Sequence, residues 1–554
     1  MPAFIPARGR TPHLAGVCVN RIGTQHSNRE VAVTLKSLMC GGALSCLALC
    51  CHGASAAEGC SALAGAKLDN VDFLSSVEVP SAGDLPAYCR VLGFIRPAIN
   101  FDIRLPISGW NGKFYEVGCG GFCGTLDSDI KGFANAPNYA LRRNYATAVT
   151  DAGHWGNGSV DGRWAFNNPV AKDDWAWRAE AEVARVGKAL VGAYYGKAQD
   201  RSYFAGCSDG GRMAGIEVSR FPNEFDGVIM GAPALDFTGL VATLFTWIKN
   251  ANIGPDGHPI LPGSKFKLVE DAVYKQCADA GGLVSRPLQC QFDPASLQCK
   301  AGDGPECLTS AQVDVLKKWY GGPRNSAGQQ LYPGGLPVGS EPFWGSWLTP
   351  LPALGDDSIL GAFAENFLKY LAFVPDAGPL YSSAEFDFDK DLPRMASAAK
   401  LFSATTFNPT APADLPSTDL SAFAKHGGKM IIYHGWADML VTPQLTTLYY
   451  DAIAGHAGGV ERARDFARLF MIPGMDHCGV FTNGPGIADT GVDLLTALEG
   501  WVEKGAPPDQ LLATKTDDKG QTLWQRPVCA WPQTAVYRSG DPALAASYSC
   551  AESP

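Results

Sequence analysis

The chain has 554 residues, 46% apolar and 18% charged, enough to bury a large core of more than one domain or of one domain with an insertion. Its formal net charge is −10 and no basic run follows the N-terminal stretch, which argues against nucleic acid and against an anionic membrane surface as partners.

At the N-terminus a mildly basic stretch ending at Lys36 leads into SLMCGGALSCLALCC and then HGASAAEGC. Charge, a short apolar run and the small-residue site Ala54-Ser55-Ala56 follow in the order of a secretory signal. The run is too short to span a bilayer. Residues 1–56 are therefore expected to be a signal region, and the mature chain to be secreted or periplasmic. Of seventeen cysteines, Cys18, Cys40, Cys46, Cys50 and Cys51 would leave with it, and an even twelve remain. No C-x-x-C pair follows the cleavage point, so disulfides are expected rather than zinc, and no metal. Closeness in sequence pairs Cys277 with Cys290, Cys299 with Cys307 and Cys529 with Cys550, while Cys60 with Cys89 would tie down the mature N-terminus.

Further on, NYATAVT (144–150) reads as a buried strand, and DDWAWRAEAEVARVGKALVGAYYG as a long helix with apolar residues at helical spacing. RSYFAG is a strand, DGGRMAGIEVSRF a helix and FDGVIMGAPA a strand. The alternation implies a parallel sheet. It stops between about residues 236 and 401, where Gly, Pro and aromatics dominate, and resumes in KMIIYHG and ARLFMIPG, two strands, and in VDLLTALEGWVEKG, a helix ending at Gly505. The fold class that follows is α/β, a largely parallel sheet with a large lid domain inserted after the first half of the core. The expected boundaries are 57–238 for the first part of the core, 239–400 for the lid and 401–554 for the second part.

Gly206-Cys207-Ser208-Asp209-Gly210 fits G-x-S-x-G, between an apolar strand and a helix. A sharp turn there would strain the serine backbone and expose its hydroxyl at a helix N-terminus. A serine nucleophile needs a base. Of the six histidines after the signal region, His477 follows the late strand ARLFMIP, and Asp438 follows KMIIYHGWA, giving the order Ser208, Asp438, His477. Asp476 adjoins His477 and Asp209 adjoins Ser208, but neighbouring side chains in extended chain point apart. If Ser208 and His477 meet, their neighbours Cys207 and Cys478 meet too, and a disulfide would staple the two loops.

The segments GCSDGGRMAGIEVSRFPNEFDGVIMGAPA, GGKMIIYHGWAD and FARLFMIPGMDHCG resemble the tannase and feruloyl esterase family of α/β-hydrolases, which also contains a terephthalate monoester hydrolase. The resemblance implies Ser208 as nucleophile, His477 as general base and Asp438 as its orienter. It implies an oxyanion hole made by the backbone N–H of Asp209 and by Gly120 or Gly121 of VGCGGFCG. Cys119 and Cys123, in the same loop, either bond each other or stay reduced. The family also implies a lid calcium held by an acidic loop between two cysteines. Here that stretch, CADAGGLVSRPLQC, has Asp279 as its one acid, too few carboxylates for calcium, so no cofactor is expected.

The implied activity is a serine esterase acting on small esters of aromatic acids, hydroxycinnamates or gallates. Trp344 and Trp347, with Phe343, are candidate walls for a flat acid, as are His434 and Trp436 beside Asp438. No arginine occurs between Arg324 and Arg394 to fork a free carboxylate, which disfavours a terephthalate monoester. A tannase is the neighbouring alternative. A secreted binding protein on an inactive hydrolase scaffold is the alternative outside enzymes.

Overall fold

Apolar runs separated by amphipathic helices assemble into one nine-stranded sheet, in the order β1-β2-β3-β5-β4-β6-β7-β8-β9. A computed structural model describes residues 59–126, 136–156, 158–355, 357–395, 418–481 and 484–552. The expected signal region, with its five cysteines, lies outside them, as does the expected lid end at residue 400.

The strands are β1 (Val71–Val79), β2 (Tyr88–Ile95), β3 (Ile99–Pro106), β4 (Lys113–Val117), β5 (Ala146–Thr150), β6 (Arg201–Cys207), β7 (Gly227–Gly231), β8 (Lys429–Gly435) and β9 (Ala467–Ile472). β1, β2, β3 and β5 pair antiparallel in turn. β5, β4, β6, β7, β8 and β9 run parallel. The parallel strands are buried on both faces and so are apolar along their length, whereas β2 alternates buried with half-buried residues.

Two core clusters cover the two faces. One takes α1 (Ala179–Tyr195) and α2 (Asp209–Arg220); the other takes α7 (Leu494–Lys504). Between β7 and β8 the chain makes a long excursion. It contains α3 (Phe266–Cys277), α4 (Ser310–Gly321) and α5 (Ile359–Tyr370), and α6 (Pro443–Ala457) follows β8. Trp319 and Trp344 cross edge to face at 5.3 Å in the middle of this excursion, and Phe266 lies 5.5 Å from Trp344. After α7 come two hairpins, β10 (Gln510–Thr516) with β11 (Thr522–Cys529) and β12 (Gln533–Tyr537) with β13 (Tyr548–Glu552).

Six disulfides hold the described chain: Cys60–Cys89, Cys119–Cys123, Cys207–Cys478, Cys277–Cys290, Cys299–Cys307 and Cys529–Cys550. No helix among the described residues is long and apolar enough to cross a membrane.

Candidate active site

Ser208 stands between β6 and α2 with φ 64° and ψ −121°, a conformation that costs a non-glycine residue of order 1–3 kcal/mol. The turn is tight enough to dictate its neighbours. A Cβ on Gly206 would lie 2.2 Å from the Gly210 carbonyl oxygen, and one on Gly211 2.2 Å from the Gly231 oxygen. The strain is held by backbone bonds: Ser208 N–H to the Gly231 oxygen at 3.0 Å, and Ala234 N–H to the Ser208 oxygen at 3.1 Å. The serine is half-buried at the N-terminus of α2. As the first helical residue, Asp209 has a backbone N–H with no intrahelical partner. Its side chain turns inward to Arg212, whose other nitrogens donate to the carbonyls of Ala176 and Trp175 at 2.8 and 3.0 Å. That buried pair, written in the spacing of DGGR, went unread in the sequence.

The loop after β4 closes on this turn. A Cβ on Gly118 would meet Gly210 Cα at 2.8 Å, so the two backbones touch. Within the loop, the N–H groups of Gly118, Phe122, Cys123 and Gly124 go to Ala205, Ser159, Gly120 and Asp151. Those of Gly120 and Gly121 have no protein partner among the described residues. Gly120 is exposed, and Gly121 has φ 62° with the Ser159 oxygen 2.4 Å from where a Cβ would be. Cys119 and Cys123 are bonded to each other, and Cys123 Sγ lies 3.5 Å from Asp209 Oδ2. These sulfurs and Asp209 cluster tightly, but two sulfurs joined in a disulfide do not ligate a metal as thiolates do.

Asp438 and His477 arrive on the turns after β8 and β9. Asp438 Oδ2 accepts from His477 Nδ1 at 2.7 Å, which leaves Nε2 as the ring nitrogen able to take up a proton. Asp438 Oδ1 accepts the N–H groups of Leu440 and Val441 at 2.9 and 2.8 Å. Burial raises the Asp438 carboxyl, but the charge and hydrogen bonds of His477 and His434 outweigh it and hold it at about 2. Asp476 faces away: its Oδ2 accepts the Phe481 N–H at 3.0 Å, and burial pushes its carboxyl up to about 8. Cys207 and Cys478 are bonded, with Cα atoms 6.0 Å apart, which joins the serine turn to the histidine turn. No hydrogen bond links Ser208 Oγ to His477 Nε2 among the described residues, and Cys478 Sγ lies 3.7 Å from Nε2.

The five candidate walls separate, and Phe343 is buried in the core. Trp347 meets the His477 ring edge to face at 5.8 Å and Phe481 at 5.4 Å. Its indole nitrogen has no partner among the described residues. Trp344 is fully buried in the excursion's aromatic core and donates to Ser340 Oγ at 3.0 Å, so it is a packing residue. His434 is fully buried too. Its Nε2 lies 3.0 Å from both Asp438 Oδ2 and the Val441 oxygen, and its Nδ1 lies 2.7 Å from Thr446 Oγ1. It is a partner of Asp438 and has no ring atom left for a ligand. Trp436 lines a cavity of about 270 Å³ with Tyr320, Leu336 and Thr442; Ser208 and His477 are not part of its wall.

Calcium finds no ligand set between Cys277 and Cys290. The one acid, Asp279, already accepts from Arg526 Nη1 and Nη2 at 2.8 and 3.1 Å, from Ser285 Oγ at 2.5 Å, and from the N–H groups of Gly281 and Leu283 at 2.9 and 3.2 Å.

Comparison with known proteins agrees with this architecture. A family model described as tannase and feruloyl esterase matches residues 87–551. An uncharacterized esterase of Xanthomonas campestris pv. campestris is 34% identical over 557 residues, covering 90% of this chain and 92% of its own. Mono(2-hydroxyethyl) terephthalate hydrolase of Piscinibacter sakaiensis is 33% identical, covering 86% of each chain. The crystal structure of feruloyl esterase B from Aspergillus oryzae superposes with a TM-score of 0.76 at 26% identity, over 89% of this chain and 99% of that one.

Proposed function

The chain belongs to the tannase and feruloyl esterase family and is a carboxylic ester hydrolase of α/β-hydrolase fold, and on that footing we propose that it is an exported serine esterase cleaving esters of aromatic acids through Ser208, His477 and Asp438. One observation carries the reading: the Cys207–Cys478 bond joins a strained serine turn to a histidine whose far nitrogen is already held by a buried carboxylate.

Ser208 Oγ attacks the ester carbonyl while His477 Nε2 takes its proton. Asp438 keeps the imidazole in the Nδ1–H tautomer and stabilises the imidazolium that forms. The N–H of Asp209 and that of Gly120 or Gly121 hold the oxyanion. His477 returns the proton to the leaving alcohol as the acyl-enzyme forms. Water, activated by the same nitrogen, then releases the acid. The serine–histidine hydrogen bond forms when substrate fills the site, as is common in hydrolases. The excursion, residues 239–400, acts as a lid, and Trp347 offers an aromatic edge and a buried, unpartnered indole N–H beside His477. Six disulfides support an oxidising destination outside the cytosol.

Ser208→Ala should lower hydrolysis of methyl ferulate by roughly 10³-fold or more. A fluorophosphonate should label Ser208 in the unmodified protein. Retention of most activity by the variant would refute the nucleophile. A panel of methyl ferulate, methyl gallate and a terephthalate monoester separates the substrate classes; the highest kcat/KM is expected on the hydroxycinnamate.

A further inference from the structure

The Asp279 loop lacks the carboxylates for calcium, yet a positive charge sits in it. The Arg526 guanidinium comes from β11, 247 residues away, and is buried to 3% exposure. It forks onto both oxygens of Asp279 and packs over the Tyr548 ring at 4.8 Å. Its position denies space to a side chain at residue 281. A Cβ on Gly281 would lie 1.6 Å from Arg526 Nη2 and 2.8 Å from Tyr548 Oη. A side chain at 281 would thus displace the guanidinium from Asp279. Both oxygens of Asp279 are engaged: five hydrogen bonds from protein donors reach a carboxylate that keeps 28% of its side chain exposed.

We propose that Arg526 supplies, from within the protein, the cation that this loop would otherwise bind, and so locks the excursion to the C-terminal hairpins without a metal ion. The lock is anchored at both ends. Cys277–Cys290 closes the loop that holds Asp279, and Cys529–Cys550 ties the end of β11 to β13. A bidentate guanidinium–carboxylate pair has the directionality to fix the loop where a spherical ion would need several carboxylates around it.

The test is thermal unfolding of the full chain with a chelator, with no addition and with millimolar calcium, alongside a calcium titration by calorimetry. The expected result is one midpoint under all three conditions and no binding heat. A midpoint that falls with chelator, or micromolar calcium binding, would overturn the proposal. Arg526→Gln should lower the midpoint by roughly 3 °C, since it strands a half-buried carboxylate that loses both its guanidinium bonds. Gly281→Asp, which drives a side chain into the guanidinium, should do the same. An unchanged midpoint in either variant would overturn it equally.

Discussion

Asp438 is the most heavily constrained side chain of the site. Four donors converge on it: two backbone N–H groups on Oδ1 and two imidazoles on Oδ2. His434 Nε2 faces two acceptors, Asp438 Oδ2 and the Val441 oxygen, so it must carry the proton, and Nδ1 then accepts from Thr446 Oγ1–H. His434 therefore acts through Asp438, as a positioning residue for the His477 pair. Replacing it by Phe keeps the volume and removes the donor. The expected result is a kcat lowered roughly tenfold to a hundredfold, the weight of one hydrogen bond to a charged group, with KM nearly unchanged. His434→Gln, which can restore a donor, should recover part of the loss. A normal kcat in the Phe variant would remove His434 from the machinery.

At the scale of the element, the loop of residues 118–124 and the serine turn work as a pair. The loop has three residues at positive φ in quick succession, Gly121, Cys123 and Gly124, and a disulfide across its base. That bond spans only 4 positions, so it removes little chain entropy and its weight lies in loop shape. Cys119→Ala with Cys123→Ala should lower kcat roughly tenfold through a misplaced oxyanion donor while the unfolding midpoint moves little; a large drop in midpoint at full kcat would make the bond structural instead. The strands and helices around this loop were readable because period and turn chemistry are local. The Cys207–Cys478 bond was readable as well, because the proposed nucleophile and base would have to meet. The roles of Trp344 and His434 were not: β8 is buried on both faces, so alternation cannot say which side chains look into a pocket. Arg526 with Asp279 was hidden for a plainer reason, since a charge pair 247 residues apart leaves no local pattern.

At the scale of the molecule, the buried carboxyls of the described residues outnumber its buried basic side chains, and this sets how stability depends on pH. Glu116 on β4, Glu180 on α1 and Glu217 on α2 share one buried region, where Glu116 bonds to Glu180 and no donor of another residue reaches the three carboxyls among the described residues. Burial first, and the neighbouring carboxylates second, push Glu116 and Glu217 well up, while burial lifts Glu180 to about 8. Lys188 and Arg212 are the basic groups that offset them in part. Burial likewise lifts Asp476 to about 8 and Glu341 to about 7. Above the ordinary carboxylate range the folded state therefore holds more protons than the unfolded chain, and stability falls as pH rises through 8. Asp438 and Glu365 have the opposite sign: held at about 2, they contribute stability above the ordinary range that is lost only as pH falls toward 2. Urea midpoints should accordingly decline steadily between about pH 5 and pH 9. Glu180→Gln should flatten that decline and raise the midpoint most at the alkaline end, because a neutral amide needs no proton to stay buried. A midpoint that climbs with pH over this range, or a Glu180→Gln profile parallel to the original, would mean that the three carboxyls share the interior as charged groups.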